Sequence, residues 1–199
     1  MVFCYLQPLI TVFISMKRIF IFIFTYLIFS QLNAQYIIAI NTENDDSFRE
    51  WNVEIEIDST TFISGNLELT WGLGDDFTAW QYSIGEYDGD IVQKFANNPA
   101  FWELRQDGEV VTITRTWPND PTQWKIKLGD KQFTINSKYG NILDQWENRK
   151  SVNGDLIIYT EREGDARDWL IEDYMAEDIP FIMRLAAVFI SIYSSSPKI

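Results

Sequence analysis

Trp124-Lys125-Ile126-Lys127-Leu128-Gly129-Asp130-Lys131-Gln132-Phe133-Thr134-Ile135 reads as a complete β-hairpin. Trp124, Ile126 and Leu128 alternate with Lys125 and Lys127, and a period of two places successive side chains on opposite faces of a strand. Gly129-Asp130 supplies the positive φ of a tight turn. Lys131 to Ile135 then return as a strand of β-branched and aromatic character. The face carrying Trp124 is the inside and the face carrying the two strand lysines is the outside.

The hairpin is one copy of a repeat. Trp80, Trp102, Trp124 and Trp146 follow one another at intervals of 22 residues, and Trp169 comes 23 later. Asp76, Asn98, Asp120 and Asp165 stand four residues before their tryptophans, while the Trp146 unit has Ile142 there. Asp88-Gly89, Asp107-Gly108 and Asn153-Gly154 are the turns expected in the sister hairpins. Trp80, Tyr82 and Ile84 share the inner face of their strand. Asn148 and Lys150 follow Trp146 on its own face, so that hairpin is expected at an edge or as a distorted turn. Upstream, Val53, Ile55 and Ile57 alternate with Glu54 and Glu56, and Phe62 to Thr70 forms a further strand or pair of strands, for ten to twelve in all.

One segment breaks the period. Asp178-Ile179-Pro180 reads as an N-cap with a proline in the first turn, and Phe181 to Tyr193 is apolar on every face except at Arg184 and Ser191. A helix over 179–193 that is apolar all round has to be buried. It is shorter than the roughly 20 residues of a membrane span and stops at Ser194-Ser195-Ser196-Pro197. The expected fold is therefore all-β: a closed antiparallel barrel of about 10–12 strands around a buried hydrophobic C-terminal helix, with closure removing the exposed edges of the meander.

Residues 1–34 have the composition of an export signal. Met16-Lys17-Arg18 forms a basic start, Ile19 to Phe29 an apolar core, and Ser30 to Ala34 a polar stretch ending in a small residue. The reading places translation start at Met16, cleavage after Ala34, one domain over 35–199, and a periplasmic or secreted destination. An uncleaved N-terminal membrane anchor is the alternative. The whole chain has 16 bases against 29 acids, a net charge of −13. Removing Lys17 and Arg18 with the signal makes the domain still more acidic, which disfavours nucleic-acid partners. Cys4 is the sole cysteine and histidine is absent, so disulfides, a thiol nucleophile, histidine-based triads and histidine zinc sites are excluded from the mature domain.

The Trp102-Glu103-Leu104-Arg105-Gln106-Asp107-Gly108 and Trp124 to Ile135 hairpins, with Ala176 to Pro180 leading into Arg184 to Tyr193, resemble the tubby C-terminal-like superfamily, which includes phospholipid scramblases and LURP-one-related proteins. The resemblance covers most of the mature chain. It implies a barrel around a central helix and association with phospholipid or a membrane surface, and no ligand residue is carried over from it. The chain's own basic candidates for a lipid headgroup are Lys125, Lys127 and Lys131, with Lys138 beyond them; a solvated strand face accounts for the same residues. No cofactor or metal is expected.

The reading is of a non-catalytic binding or scaffold domain. Its alternative is an exported carbohydrate-active or carbohydrate-binding protein using paired carboxylates and exposed tryptophans. The pairs are Asp75-Asp76, Asp88 with Asp90, Asp165 with Asp168, and Glu172-Asp173, most of them where turns favour Asp; loops such as Asp88-Gly89-Asp90 also suit calcium. Trp71 and Trp117 lie outside the repeat register and are the candidate exposed tryptophans.

Overall fold

The computed structural model describes residues 35–44, 47–70, 77–149 and 151–198. The segment 1–34 read above as an export signal, Trp71, Asp75-Asp76 and Lys150 lie outside these residues. Twelve strands follow in order: β1 (Tyr36–Thr42), β2 (Glu50–Asp58), β3 (Thr61–Leu69), β4 (Ala79–Ile84), β5 (Tyr87–Gln93), β6 (Phe101–Gln106), β7 (Glu109–Trp117), β8 (Asp120–Leu128), β9 (Lys131–Ser137), β10 (Gln145–Asn148), β11 (Gly154–Thr160) and β12 (Asp168–Met175). Each pairs antiparallel with its neighbours in the chain, and β1 pairs with β12, which closes the barrel. The helix α1 (Phe181–Ser195) runs down its interior.

Period-two alternation fills the lumen from the wall side. Trp51, Trp80, Trp102, Trp124, Trp146 and Trp169 are all buried, together with inward residues such as Val53, Ile91, Leu104, Ile113, Ile126, Ile135 and Ile158. Every residue of α1 from Phe181 to Ile192 is buried. The Phe189 ring lies 5.8 Å from Trp80 and 5.5 Å from Trp102, Tyr193 lies 4.6 Å from Trp102, and Phe181 stacks on Tyr87 at 4.5 Å. These edge-on and offset contacts suit the quadrupoles of aromatic rings.

The Asx-to-Trp spacing has a hydrogen-bond explanation. The indole Nε1–H donates to the carbonyl three residues earlier in Trp51 to Phe48, Trp80 to Phe77, Trp102 to Pro99, Trp124 to Pro121 and Trp169 to Ala166, at 2.8–3.2 Å. The side chains of Asn98, Asp120 and Asp165 accept from the N–H two residues on, which folds the loop so that the bond can form. Ser47 does the same ahead of Trp51. The Trp146 unit has no Asx residue at that place, and its indole donates instead to Ser195 Oγ of the helix at 2.9 Å. Trp124→Phe keeps most of the ring but orphans the Pro121 carbonyl; the expected loss is about 1–3 kcal/mol, read from the urea midpoint at unchanged slope.

Three expectations are corrected. The Trp146 hairpin is not an edge: β10 is only four residues long but pairs with both β9 and β11, and Asn148 is buried with its amide directed at the Gly154 carbonyl. The Asp88-Gly89 pair is not a turn, because the β4–β5 reversal lies at Gly85-Glu86 and Gly89 stands opposite Tyr82 inside the ladder. A Cβ on Gly89 would lie 2.2 Å from the Arg105 carbonyl oxygen and 2.6 Å from Tyr82 Cζ, so this glycine makes room for a ring. Asp178 is not the N-cap: Pro180 takes that position without a side-chain bond, and the helix begins at Phe181 and ends at Ser195 instead of spanning 179–193. The Asp107-Gly108 turn is as expected, with φ of 48° and 83°.

Candidate functional site

With the tryptophans and α1 filling the lumen, ligand contact falls to the outer wall, the loops and the barrel ends. Lys125 and Lys127 are exposed on the outside of β8. Their cross-strand neighbours are uncharged: Thr114 and Thr134 for Lys125, Thr112 and Gln132 for Lys127. Lys131 pairs with inward-facing Leu128 and so starts β9 on the other face. From there it reaches across the barrel end to the carbonyl of Asp178 and to its carboxylate at 3.0 Å, holding that carboxyl below its usual range. The three lysines therefore divide into two outward cations and one that ties the barrel to the helix connection. Lys138 donates to Gln145 at 3.1 Å and lies 5.0 Å from the Tyr139 ring centre.

The carboxylate pairs are dispersed. Glu172 and Asp173 point to opposite faces of β12, Glu172 toward Tyr159 outside and Asp173 toward Arg184 inside. Asp165 receives Nε and Nη2 of Arg167 at 2.8 and 2.7 Å, which brings its pKa down to about 2. Asp90 lies 3.6 Å from Arg105. Among the described residues no three His, Cys, Asp or Glu side chains gather as a metal site.

Several exposed apolar side chains gather at the end of the barrel where the indole loops are. The antiparallel meander puts the β5–β6, β7–β8 and β9–β10 loops side by side at this end. They carry Phe95 (49% exposed), Trp117 (62%), and Tyr139 and Ile142 (52% and 51%). Phe101 packs edge-on against Phe95 at 5.5 Å. Bases stand beside the aromatics: Lys94 lies 5.8 Å from the Phe95 ring centre, Lys138 faces Tyr139, and Arg115 directs Nη1 to the Pro118 carbonyl just after Trp117. Lys94 also pairs with Glu103 at 2.6 Å. A hollow of about 460 Å³ lined by Tyr139, Ile142, Asp144, Gln145, Tyr159, Thr160 and Glu163 opens beside the third loop.

Of this rim the sequence reading singled out Trp117 and, among the bases, Lys138. Phe95 and Tyr139 each follow a lysine one residue beyond a strand end, and Lys94-Phe95 and Lys138-Tyr139 are two repeats apart. That recurrence off the core register is the signal that marks them. Compared with family models, characterised proteins and solved structures, the chain finds no match.

Proposed function

We propose that the chain is an exported, non-catalytic binding domain that docks its loop rim on a phospholipid surface. The observation carrying this reading is the set of half-exposed aromatics on three adjacent loops with bases beside them, since amphipathic rings and lysines favour the boundary between headgroup and acyl chain. The resemblance to tubby-like domains implies a lipid partner as well. A lumen occupied by α1 supports binding at the surface in preference to chemistry in a central pocket.

Co-sedimentation with extruded phosphatidylcholine vesicles, with and without phosphatidylserine, tests it. Wild type is expected to pellet with both, because rim burial is apolar in origin. A Phe95→Ser, Trp117→Ser, Tyr139→Ser variant is expected to lose at least about tenfold in partitioning, roughly 1.4 kcal/mol. Alanine at Lys125 and Lys127 is expected to reduce only the phosphatidylserine-dependent part. Failure of wild type to pellet, or equal pelleting by the rim variant, removes the rim; binding of a glycan array in its place supports the carbohydrate alternative.

A further inference from the structure

The barrel closes along only part of its seam. β1 and β12 pair at Asn41–Asp168, Ile40–Trp169 and Ala39–Leu170, and the ladder ends there. Beyond it β1 carries a bulge between Ile37 and Ala39 in its pairing with β2, while β12 continues to Met175 in register with β11. Along this end of the seam lies a groove of about 660 Å³, lined by Tyr36, Ile38, Glu56, Glu172, Tyr174 and Glu177 among others. Its floor includes Asp173.

The groove has the elements of a strand-binding site. The bonds from Glu161 N–H to the Asp168 carbonyl and from Ala176 N–H to the Asn153 carbonyl set the parity of the β11–β12 ladder. The main-chain groups of Ile171, Asp173 and Met175 accordingly point away from β11, toward the seam. The Ile171 carbonyl is engaged by the Ile38 N–H, the bond that frames the Ala39–Leu170 pair in this parity. The main-chain groups of Met175 are engaged as well, the N–H by Asp173 Oδ1 and the carbonyl by Arg184, which leaves those of Asp173. The Asp173 side chain is 1% exposed although the residue as a whole is not buried, so its main chain is the part that meets solvent. Its Oδ2 is buried without a hydrogen-bond partner, which calls for a donor. Glu172 and Tyr174 are exposed side chains one turn of the pleat from Asp173, with Glu177 exposed just past the strand end and Glu56 across the gap.

We propose that the seam binds an extended basic peptide that adds to the edge of β12 at Asp173. Its alternate side chains would lie over Glu172, Glu177 and Glu56, with Tyr36 and Tyr174 flanking the cations. The charge is complementary: the groove presents carboxylates only at its rim, on a chain of net charge −13. The inference stands on the seam and is independent of the lipid reading.

The test is fluorescence anisotropy with a labelled, end-blocked Lys-Thr-Lys-Thr-Lys-Thr-Lys peptide on the intact domain at low and moderate salt. Saturable binding is expected, weakened at least about tenfold by Glu172→Gln with Glu177→Gln, and abolished when alternate amides of the peptide are N-methylated. The exposed glutamines leave the fold intact, which the melting temperature checks, and Trp117→Ser at the opposite end is expected to leave binding unchanged. Equal binding of the N-methylated peptide, equal displacement by spermidine, or no effect of the two glutamines would overturn the proposal. So would a peptide-sensitive dimer in sedimentation, which would assign the seam to a second copy of the chain.

Discussion

A chain ending at Ala176 is expected not to fold to a monomeric barrel. Phe181, Ile182, Met183, Leu185, Val188, Phe189, Ile190 and Ile192 are buried from α1, at most 9% exposed, and full burial of a large apolar side chain is worth about 1.5–3 kcal/mol. Their sum, about 12–24 kcal/mol, matches or exceeds the roughly 5–15 kcal/mol by which a whole domain is stable. The wall has nothing to replace them with, since Trp80, Trp102 and the inward isoleucines would line a wet or collapsed lumen. The measurements are size exclusion and near-ultraviolet circular dichroism, which reports the six packed indoles. A truncated chain that elutes as a monomer with the wild-type near-ultraviolet spectrum would show that the wall closes without its helix.

The second large effect is expected from Arg184→Met. Arg184 is the one cation inside the apolar span of α1, with its side chain 3% exposed, and its Nη1 meets Asp173 Oδ1 at 2.8 Å. Its other donors hold the carbonyls of Ile179 at 3.0 Å and Ala176 at 2.9 Å, and its guanidinium lies 5.3 Å from the Tyr36 ring centre. Methionine fills the volume but leaves Asp173 charged and without its counter-ion, and breaking one side of a buried pair costs about 3–5 kcal/mol. Asp173→Asn in the same chain removes the orphaned charge, and the double variant is expected to recover most of the loss.

The pH dependence of this variant follows from the sign of the shift. Burial raises the Asp173 pKa in the folded state even with Arg184 opposing it. A carboxyl with a raised folded pKa contributes most favourably below its unfolded value, and that contribution is lost as pH rises through the folded value. Without Arg184 the folded value climbs further. The deficit of Arg184→Met is therefore expected to be largest at neutral pH and to shrink in acid, in urea midpoints taken in parallel with wild type. A deficit of equal size at every pH would mean that lost packing, not the stranded carboxylate, sets it.

Much of the barrel is readable along the chain because its repeat is bonded locally. An indole bonding three residues back and an Asx side chain bonding two residues on need no distant partner, so their spacing survives in the sequence at Trp102, Trp124 and Trp169, and that of the indole bond at Trp80. Trp51 uses the same bond, but 29 residues separate it from Trp80, which hides it from a search for a 22-residue period. Asp88-Gly89 misleads for the converse reason: the dipeptide has turn chemistry, while the Tyr82 ring claims the space above Gly89. The rim escaped because Phe95, Tyr139 and Ile142 sit in loops, where no periodicity says which way a side chain faces.

The sequence by itself determined the strands, the inward face of the tryptophans, and a terminal helix that has to be buried. Alternation and all-round apolarity are properties of neighbouring residues, and the hydrophobic effect acts on them wherever the chain goes. Only the tertiary structure decided what the remaining polar groups do: that Lys131 is drawn from the lysine strip to Asp178, that Trp146 bonds Ser195, that Arg184 finds Asp173, and that the β1–β12 register stops at Ala39. Each joins residues far apart in the chain. A hydrogen bond or ion pair depends on ångström-scale placement that closure of the barrel sets, and no local pattern encodes it.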